Sequence, residues 1–229
     1  MDGAREKIID AAGRVFAERG YKSATVRQIC HAAEANVAAV NYYFGDKGQL
    51  YLETVKQAHR RLSDQFPLPL WPTDTSPAQK LKGFIGAMLA RMIGGKATRW
   101  EQQLMLREVL HPTSACRELV EEYFRPQLEL LLGIIGELRP AGTSAQRQRQ
   151  MAFSIIGQCL FYRIAGDIVD MMTPDEDQDS FTIEQLSEHI TVFSLAAISG
   201  PSQIDGRANT ARRSATTAVS ETRLANGSY

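Results

Sequence analysis

Apolar residues recur at intervals of three and four through most of this chain, which is the spacing of one face of an α-helix. Residues 4–19, for example, place Ile8, Ala12, Val15 and Phe16 on one side and charged residues on the other. No alternating apolar and polar segment followed by a hairpin turn interrupts this pattern. The sequence therefore predicts an all-α fold.

Glycine, proline and capping residues divide the chain into separate helices. The predicted helices cover residues 4–19, 26–33, 36–44, 47–65, 77–93, 98–110, 114–138, 144–172 and 182–199. Four prolines between residues 67 and 77 indicate a loop. Pro126 lies inside a predicted helix and is expected to kink it, because proline lacks the backbone donor that a helix needs.

Two short helices near the N-terminus are joined by a turn of about three residues. Thr25 and Asn36 have the side chains of N-caps, and each precedes one of these helices. Two short helices propped on a third form the helix-turn-helix layout, whose second helix enters the major groove of DNA. The alternative is a three-helix fragment of a larger core. Tyrosines and an asparagine beside small alanines make a poor core face, which favours DNA binding.

The stretch from Glu18 to Tyr51, ERGYKSATVRQICHAAEANVAAVNYYFGDKGQLY, closely resembles the DNA-binding signature of the TetR family of regulators. A second stretch, MLREVLHPTSACRELVEEYFRPQLELL from Met105 to Leu131, is similar to the CecR-like subgroup of that family. The resemblance implies a homodimeric repressor that binds a palindromic DNA operator and leaves it when a small-molecule effector binds. One departure is Glu34, which stands where the family usually has glycine in the turn.

The outer face of the second helix and the resemblance together indicate which residues contact DNA. These are Thr25, Arg27, Asn36, Val37, Ala38, Ala39, Asn41, Tyr42, Tyr43 and Lys47. Arg27 reaches a phosphate or a guanine in similar proteins, whereas Tyr43 could instead pack inward. Val37 lies at the edge between the core face and the DNA face. Asn41 suits the edge of an adenine, and a phosphate contact is the competing interpretation.

Charge is distributed unevenly although the formal net charge is 0. Residues 1–62 carry 10 basic and 7 acidic residues, a balance of +3, whereas residues 63–200 carry 12 and 17, a balance of −5. This pattern agrees with a DNA-binding domain over residues 1–46 and an effector-binding and dimerisation domain over residues 47–200. Residues 201–229 contain few large apolar residues and are expected to form a disordered tail.

The larger domain is expected to hold both the effector and the partner subunit. Candidate effector contacts are Trp100, Gln103, Arg107, His111, Gln127 and Tyr162. Residues 144–172 are apolar on more than one side, and residues 182–199 carry a stripe of Leu186, Ile190, Phe193 and Ala197. In the family the last two helices pair with those of a second subunit. The same pattern would also suit an ordinary core.

Other functions find less support in the sequence. Cys30, Cys116 and Cys159 have no metal-binding spacing, and Glu108 and His111 have no third ligand, so neither a metal nor a cofactor is expected. No run of about 18 apolar residues indicates a membrane span, and a cytoplasmic protein with reduced thiols is expected. Two alternatives remain open. One is an enzyme that uses Cys159 or His111, and the other is a DNA-binding regulator controlled by a partner protein or by abundance, without a small effector.

Overall fold

The computed structural model describes residues 2–95, 100–174, 177 and 180–200. Within these residues the chain is helical and contains no strand, which confirms the all-α prediction. The helices are α1 (Asp2–Ser23), α2 (Val26–Ala33), α3 (Val37–Phe44), α4 (Lys47–Gln65), α5 (Pro77–Ile93), α6 (Trp100–Leu110), α7 (Ala115–Leu119), α8 (Arg125–Leu138), α9 (Ala145–Met172) and α10 (Ile183–Ser199). The predicted disordered tail, 201–229, lies outside the described residues.

The two N-caps predicted for the short helices are present. The hydroxyl of Thr25 accepts a hydrogen bond of 3.2 Å from the backbone N–H of Gln28, and the Gln28 side chain accepts one of 2.9 Å from the backbone of Thr25. The Asn36 side chain accepts a bond of 2.7 Å from the backbone N–H of Ala39. These bonds satisfy donors that have no partner inside the helix, so α2 and α3 begin where the sequence predicts.

Glu34 adopts the left-handed conformation, with φ of 51°, in the turn between α2 and α3. Its backbone N–H and that of Ala35 bond back to the carbonyls of His31 and Cys30 at 3.3 and 2.9 Å. A side chain in this conformation costs about 1 kcal/mol relative to glycine. The turn therefore keeps the helix-turn-helix geometry in spite of the missing glycine.

The predicted helix over residues 114–138 differs from expectation. It is divided into α7, a π-helical turn over Val120–Phe124, and α8, with Pro126 in the first turn of α8. In the π turn the N–H of Arg125 bonds to the carbonyl of Val120, five residues earlier. Proline has no N–H and its ring would clash with the carbonyl of Glu122, so a widened turn before it relieves both defects. A second interruption, which the sequence did not predict, occurs at Ala165 in α9, where ψ is 15°.

Two hydrophobic clusters form the core of the described part of the chain. The first joins α1–α4 to α6 and α7, and its fully buried members include Ile8, Phe16, Ile29, Val40, Leu50, Leu104 and Leu119. The second joins α5, α8, α9 and α10, and includes Leu81, Phe84, Leu131, Ile155, Leu186 and Ile190. The N-terminal head, formed by α1–α3, therefore shares its core with α4, α6 and α7.

Polar contacts fasten α6 to the head. The Arg107 guanidinium donates hydrogen bonds of 3.0 and 2.9 Å to the carbonyls of Ala17 and Glu18, near the end of α1. The Tyr51 hydroxyl donates a buried bond of 2.6 Å to the carboxylate of Glu108. Burial and this carboxylate raise the pKa of Tyr51, which keeps the hydroxyl protonated and able to donate. Helix α6 is thus held against both α1 and α4.

His59 joins α4 to the π turn and to α8. Its ring stacks on Tyr123 with centroids 4.0 Å apart. Its Nε2 lies 3.1 Å from the amide nitrogen of Gln127, and its Nδ1 lies 3.5 Å from the Ser63 hydroxyl. An amide nitrogen only donates, so Nε2 accepts and the ring proton sits on Nδ1. Burial, with help from Arg91 and Arg60, lowers the pKa of His59 to about 4, and the ring is neutral.

This half-buried, neutral histidine predicts a loss of stability in acid. Between pH 6.5 and about 4 the unfolded chain protonates His59 while the folded protein does not, so the free energy of unfolding falls as the pH is lowered. His59→Gln removes this contribution. Between about pH 7 and pH 4.5, the free energy of unfolding of the variant should therefore fall by about 1–3 kcal/mol less than that of the wild type. Urea unfolding at the two pH values measures this difference.

The matched control is His31→Gln, because His31 lies exposed on α2. This control should follow the pH dependence of the wild type. Equal acid sensitivity of His59→Gln and the wild type would contradict the neutral, buried assignment of His59.

Candidate nucleic-acid interface and internal cavity

Helix α3 is anchored by one face and presents the other to solvent. Val40 and Phe44 are buried in the core of the head. Away from these contacts, Asn41 is exposed, Tyr42 is 80% exposed, and Val37 in the first turn is 44% exposed. A helix of this kind can insert its outer face into a major groove without unpacking the domain.

The ten residues expected to contact DNA lie on α2, α3, their N-caps and the first turn of α4. Thr25, Arg27, Asn36, Val37, Ala38, Asn41 and Tyr42 are exposed, and Ala39, Tyr43 and Lys47 are half-buried. The structure thus places Val37, which the sequence left ambiguous, on the outer surface. Tyr43 packs partly inward, with its ring centroid 6.2 Å from that of Phe44.

Basic groups lie beside this surface. The Lys47 ammonium stands 4.6 Å from the centroid of the Tyr21 ring and 3.5 Å from the carbonyl oxygen of Lys22. Lys22 and Arg27 are both exposed. Cations at the end of α1 and at the starts of α2 and α4 are suited to the phosphate backbone of DNA.

A cavity lies in the second domain, bounded by α4, α5, α6, α8, α9 and the π turn. It contains about 610 Å³ of empty space, part of it open to solvent. Its lining residues are His59, Leu62, Ser63, Met88, Arg91, Met92, Gln102, Met105, Leu106, Val109, Phe124, Gln127, Leu160 and Arg163. The walls are mostly apolar and carry a few polar groups, which is the usual character of a small-molecule site.

Of the six residues expected to contact an effector, Gln127 lines this cavity and the other five lie elsewhere. Gln103 and His111 are exposed, and Tyr162 packs near Phe181. Arg107 faces α1, and Trp100 does so too, since a Cβ added to Gly13 would meet its ring. Helix α6 thus turns Trp100 and Arg107 towards the head, whereas its Met105, Leu106 and Val109 line the cavity.

Sequence reasoning missed the two arginines and the histidine of the cavity. Arg163 could have been found from the sequence, because it is the one basic residue in the mostly apolar segment between residues 151 and 169. Arg91 and His59 look like ordinary surface residues in their own helices. Only the packing of α4 against α5 and α8 turns them inward.

The thiols and carboxylates provide little for catalysis or metal binding in the described part of the chain. Cys30 is 5% exposed, and burial raises its pKa. Cys159 is 1% exposed, and burial raises its pKa to about 12, which disfavours a nucleophilic thiolate. The Glu108 carboxylate accepts bonds from Tyr51 and Thr113. No group of three metal-binding side chains occurs among the described residues.

The last two helices expose a continuous set of large apolar side chains. They are Phe153, Phe161, Ile164, Ile168, Met171, Met172, Val192 and Phe193, each more than half exposed. The predicted stripe on α10 is divided, because Leu186 and Ile190 are buried within the subunit whereas Phe193 is 59% exposed. Helix α9 is also long and apolar enough to cross a membrane by length and composition, with an 18-residue window of mean hydropathy 1.3 that is 28% buried.

Comparisons with known proteins agree with this architecture. The family model of bacterial regulatory proteins of the tetR family matches residues 8–54, and the model of the C-terminal domain of the HTH-type transcriptional dual regulator CecR matches residues 77–198. The CecR protein of Shigella flexneri is 24% identical over 213 residues, covering 87% of this chain and 93% of that protein.

Solved structures show the same fold. A TetR-like transcriptional regulator from Rhodococcus sp. RHA1 aligns with a TM-score of 0.65 at 16% identity, covering 88% of this chain and 98% of that one. AibR in complex with isovaleryl coenzyme A and operator DNA aligns with a TM-score of 0.60 at 15% identity, covering 83% of this chain and 97% of that one. Because the two family models together span the head and the larger domain, this chain belongs to the TetR family of DNA-binding transcriptional regulators and is of the CecR type.

Proposed function

We propose that this protein is a cytoplasmic homodimeric repressor that holds a palindromic operator and releases it when a small molecule enters the cavity. The observation that carries the DNA-binding half of this proposal is the outer face of α3. Small and hydrogen-bonding side chains are exposed there, while Val40 and Phe44 hold the helix to the core. Such a face allows close approach to base edges.

Phosphate contacts come from the residues around α3. Arg27 and Lys47 supply positive charge, and the hydroxyls of Thr25 and Tyr42 are exposed donors. These groups position the head on the duplex and provide affinity that weakens with salt. They carry no information about base sequence by themselves.

Asn41 is the side chain best suited to read a base. It follows the buried Val40 by one residue, which places it about 100° around the helix and at the flank of the outer face. Its amide can pair with N6 and N7 of adenine. Ala38, one turn earlier, leaves room for a thymine methyl group.

The Asn41→Ala variant tests this role. An operator is first selected from random duplex DNA, and affinities are then measured against all its single-base variants at one salt concentration. We expect a loss of about 1–3 kcal/mol, confined to operators that carry the preferred base at one position of each half-site. The control is Gln103→Ala, which removes an exposed amide from α6. An equal loss on every sequence, including random DNA, would assign Asn41 to a phosphate instead.

Dimerisation is proposed through the exposed apolar face of α9 and α10. Eight large apolar side chains on these two helices are each more than half exposed, and groups of exposed apolar side chains mark sites of association with other molecules. A symmetric dimer would bury this face against its own copy and would bring together two heads for the two halves of a palindrome. The same arrangement explains why α9 is apolar on nearly all sides, since one face packs on α5 and α8 and the other would meet a partner.

Phe193→Glu is expected to yield a folded monomer, because this side chain is already 59% exposed in the single subunit. Sedimentation should show half the mass of the wild type, and operator affinity should fall by about tenfold or more because one head reads only one half-site. The control is Leu70→Glu, which places a charge at a fully exposed apolar residue outside this face. A Phe193→Glu protein that remains a dimer would exclude this interface.

Release of DNA is proposed to pass through α4 and α6. Both helices line the cavity, α4 through Leu62 and Ser63 and α6 through Met105 and Leu106. Both also hold the head, since Tyr51 belongs to α4 and Arg107 to α6. A ligand that shifts these helices therefore shifts the head. A coupling of about 1–3 kcal/mol would weaken operator binding about 5- to 150-fold.

A small-molecule effector is supported by the structure of AibR in complex with isovaleryl coenzyme A and operator DNA. The similarity to that structure concerns the fold. The chemical class of the effector has to match the lining of this protein's own cavity.

A further inference from the structure

We propose that the cavity binds an organic anion with an apolar body, and that Arg163 holds its acidic group. The cavity is the one described above. Binding of the anion does not depend on the proposed function, whereas release of DNA by that anion does. The anion site follows from the charge of the lining, from an unsatisfied donor in the wall and from the nature of the remaining surface.

The lining carries positive charge with no acidic side chain to balance it. Arg91 and Arg163 are the two basic residues among the fourteen described lining residues, and none of the fourteen is an aspartate or a glutamate. His59 is neutral and adds no charge. Guanidinium groups stay protonated in proteins, so the cavity has two positive charges.

The Arg163 guanidinium is incompletely satisfied. Its Nε is buried and has no hydrogen-bond partner among the described residues. Asp167, one turn further along α9, is exposed, and its attraction for Arg163 only partly offsets the effect of burial. Burial lowers the pKa of Arg163, which indicates that its charge is poorly solvated. A buried donor without a partner is costly, and an anion in the cavity would supply one.

Arg91 is placed differently. Its Nε donates a bond of 2.8 Å to the carbonyl of Phe66, at the end of α4. Burial lowers the pKa of Arg91 as well, and its charge contributes to the lowered pKa of His59. Arg91 thus fixes the end of α4 and adds a positive field to the cavity, whereas Arg163 is the group free to bind.

The remaining lining residues favour a ligand with an apolar body. Methionine, leucine, valine and phenylalanine side chains dominate it, namely Leu62, Met88, Met92, Met105, Leu106, Val109, Phe124 and Leu160. Flexible methionines adapt to ligands of varied shape. An inorganic anion alone would satisfy the arginine and leave this apolar surface unfilled, so a carboxylate or sulfonate attached to a hydrophobic group is the better match.

A pair of fluorescent dyes tests the charge requirement. 8-Anilinonaphthalene-1-sulfonate is anionic, and N-phenyl-1-naphthylamine has the same aromatic body without the sulfonate. Titrations with the full-length protein should show tighter binding of the anionic dye. Arg163→Gln should weaken binding of that dye about 10- to 100-fold and leave the neutral dye unchanged, because only the charged contact is lost. Arg163→Lys keeps the charge and should retain most of the preference.

Two controls locate the dye and verify the fold. Leu106→Trp fills the cavity and should abolish binding of both dyes, and the circular dichroism and operator affinity of Arg163→Gln should match those of the wild type. The proposal is overturned if Arg163→Gln binds the anionic dye as the wild type does, if the neutral dye binds equally well to the wild type, or if Leu106→Trp leaves dye binding intact.

Operator release is scored separately, by adding the anionic dye to the protein bound to its selected operator. Arg163-dependent binding without release would support the anion site and contradict the proposed coupling between cavity and DNA. Release that is lost in Arg163→Gln would support both.

Discussion

The contact of α6 with the N-terminal head is the interaction on which the rest of the structure depends. Arg107 donates to carbonyls near the end of α1, and Tyr51 of α4 donates to the buried carboxylate of Glu108. Leu104 packs in the same hydrophobic cluster as Phe16 and Leu50. Because α6 also forms a wall of the cavity, the head cannot be described as a separate body joined to the larger domain by a linker.

This arrangement has a mechanical consequence. Opposite faces of α6 meet the head and the cavity, so a ligand pressing on Met105 or Leu106 acts on the same helix that Arg107 fastens to α1. Packed helices shift as rigid units, since protein interiors are close to incompressible. A displacement at the cavity therefore has a direct route to the position of α3 through contacts that are already formed.

The larger domain contains two features that are unfavourable in an isolated, empty subunit. One is the exposed apolar face that includes Phe161 and Phe193, and the other is the buried Nε of Arg163, which has no hydrogen-bond partner among the described residues. Exposed apolar area and unpaired buried donors both cost free energy. In the proposed function, association with a second subunit would relieve the first, and an anionic ligand would relieve the second.

The sequence by itself determined the helical fold and the boundaries of most helices, and it indicated the candidate DNA-binding surface. Those conclusions rest on local relations: the apolar period of a helix, caps such as Thr25 and Asn36, and a signature contained within about fifty residues. Pro126 also correctly predicted an irregularity in its helix, although the irregularity is a π turn before the proline and not a simple kink. Local physics decides these features because every interacting group lies within a few residues along the chain.

Only the tertiary structure decided which side of each long helix meets which neighbour. The periodicity of α6 shows that it has an apolar face, but Arg107 and Met105 are two residues apart and face different surroundings. The stripe on α10 is divided in the same way, with Ile190 buried in its own subunit and Phe193 exposed. The cavity and its arginines arise where five helices and a π turn from distant parts of the chain come together. Such a site has no local sequence signature, because its residues become neighbours only through long-range packing.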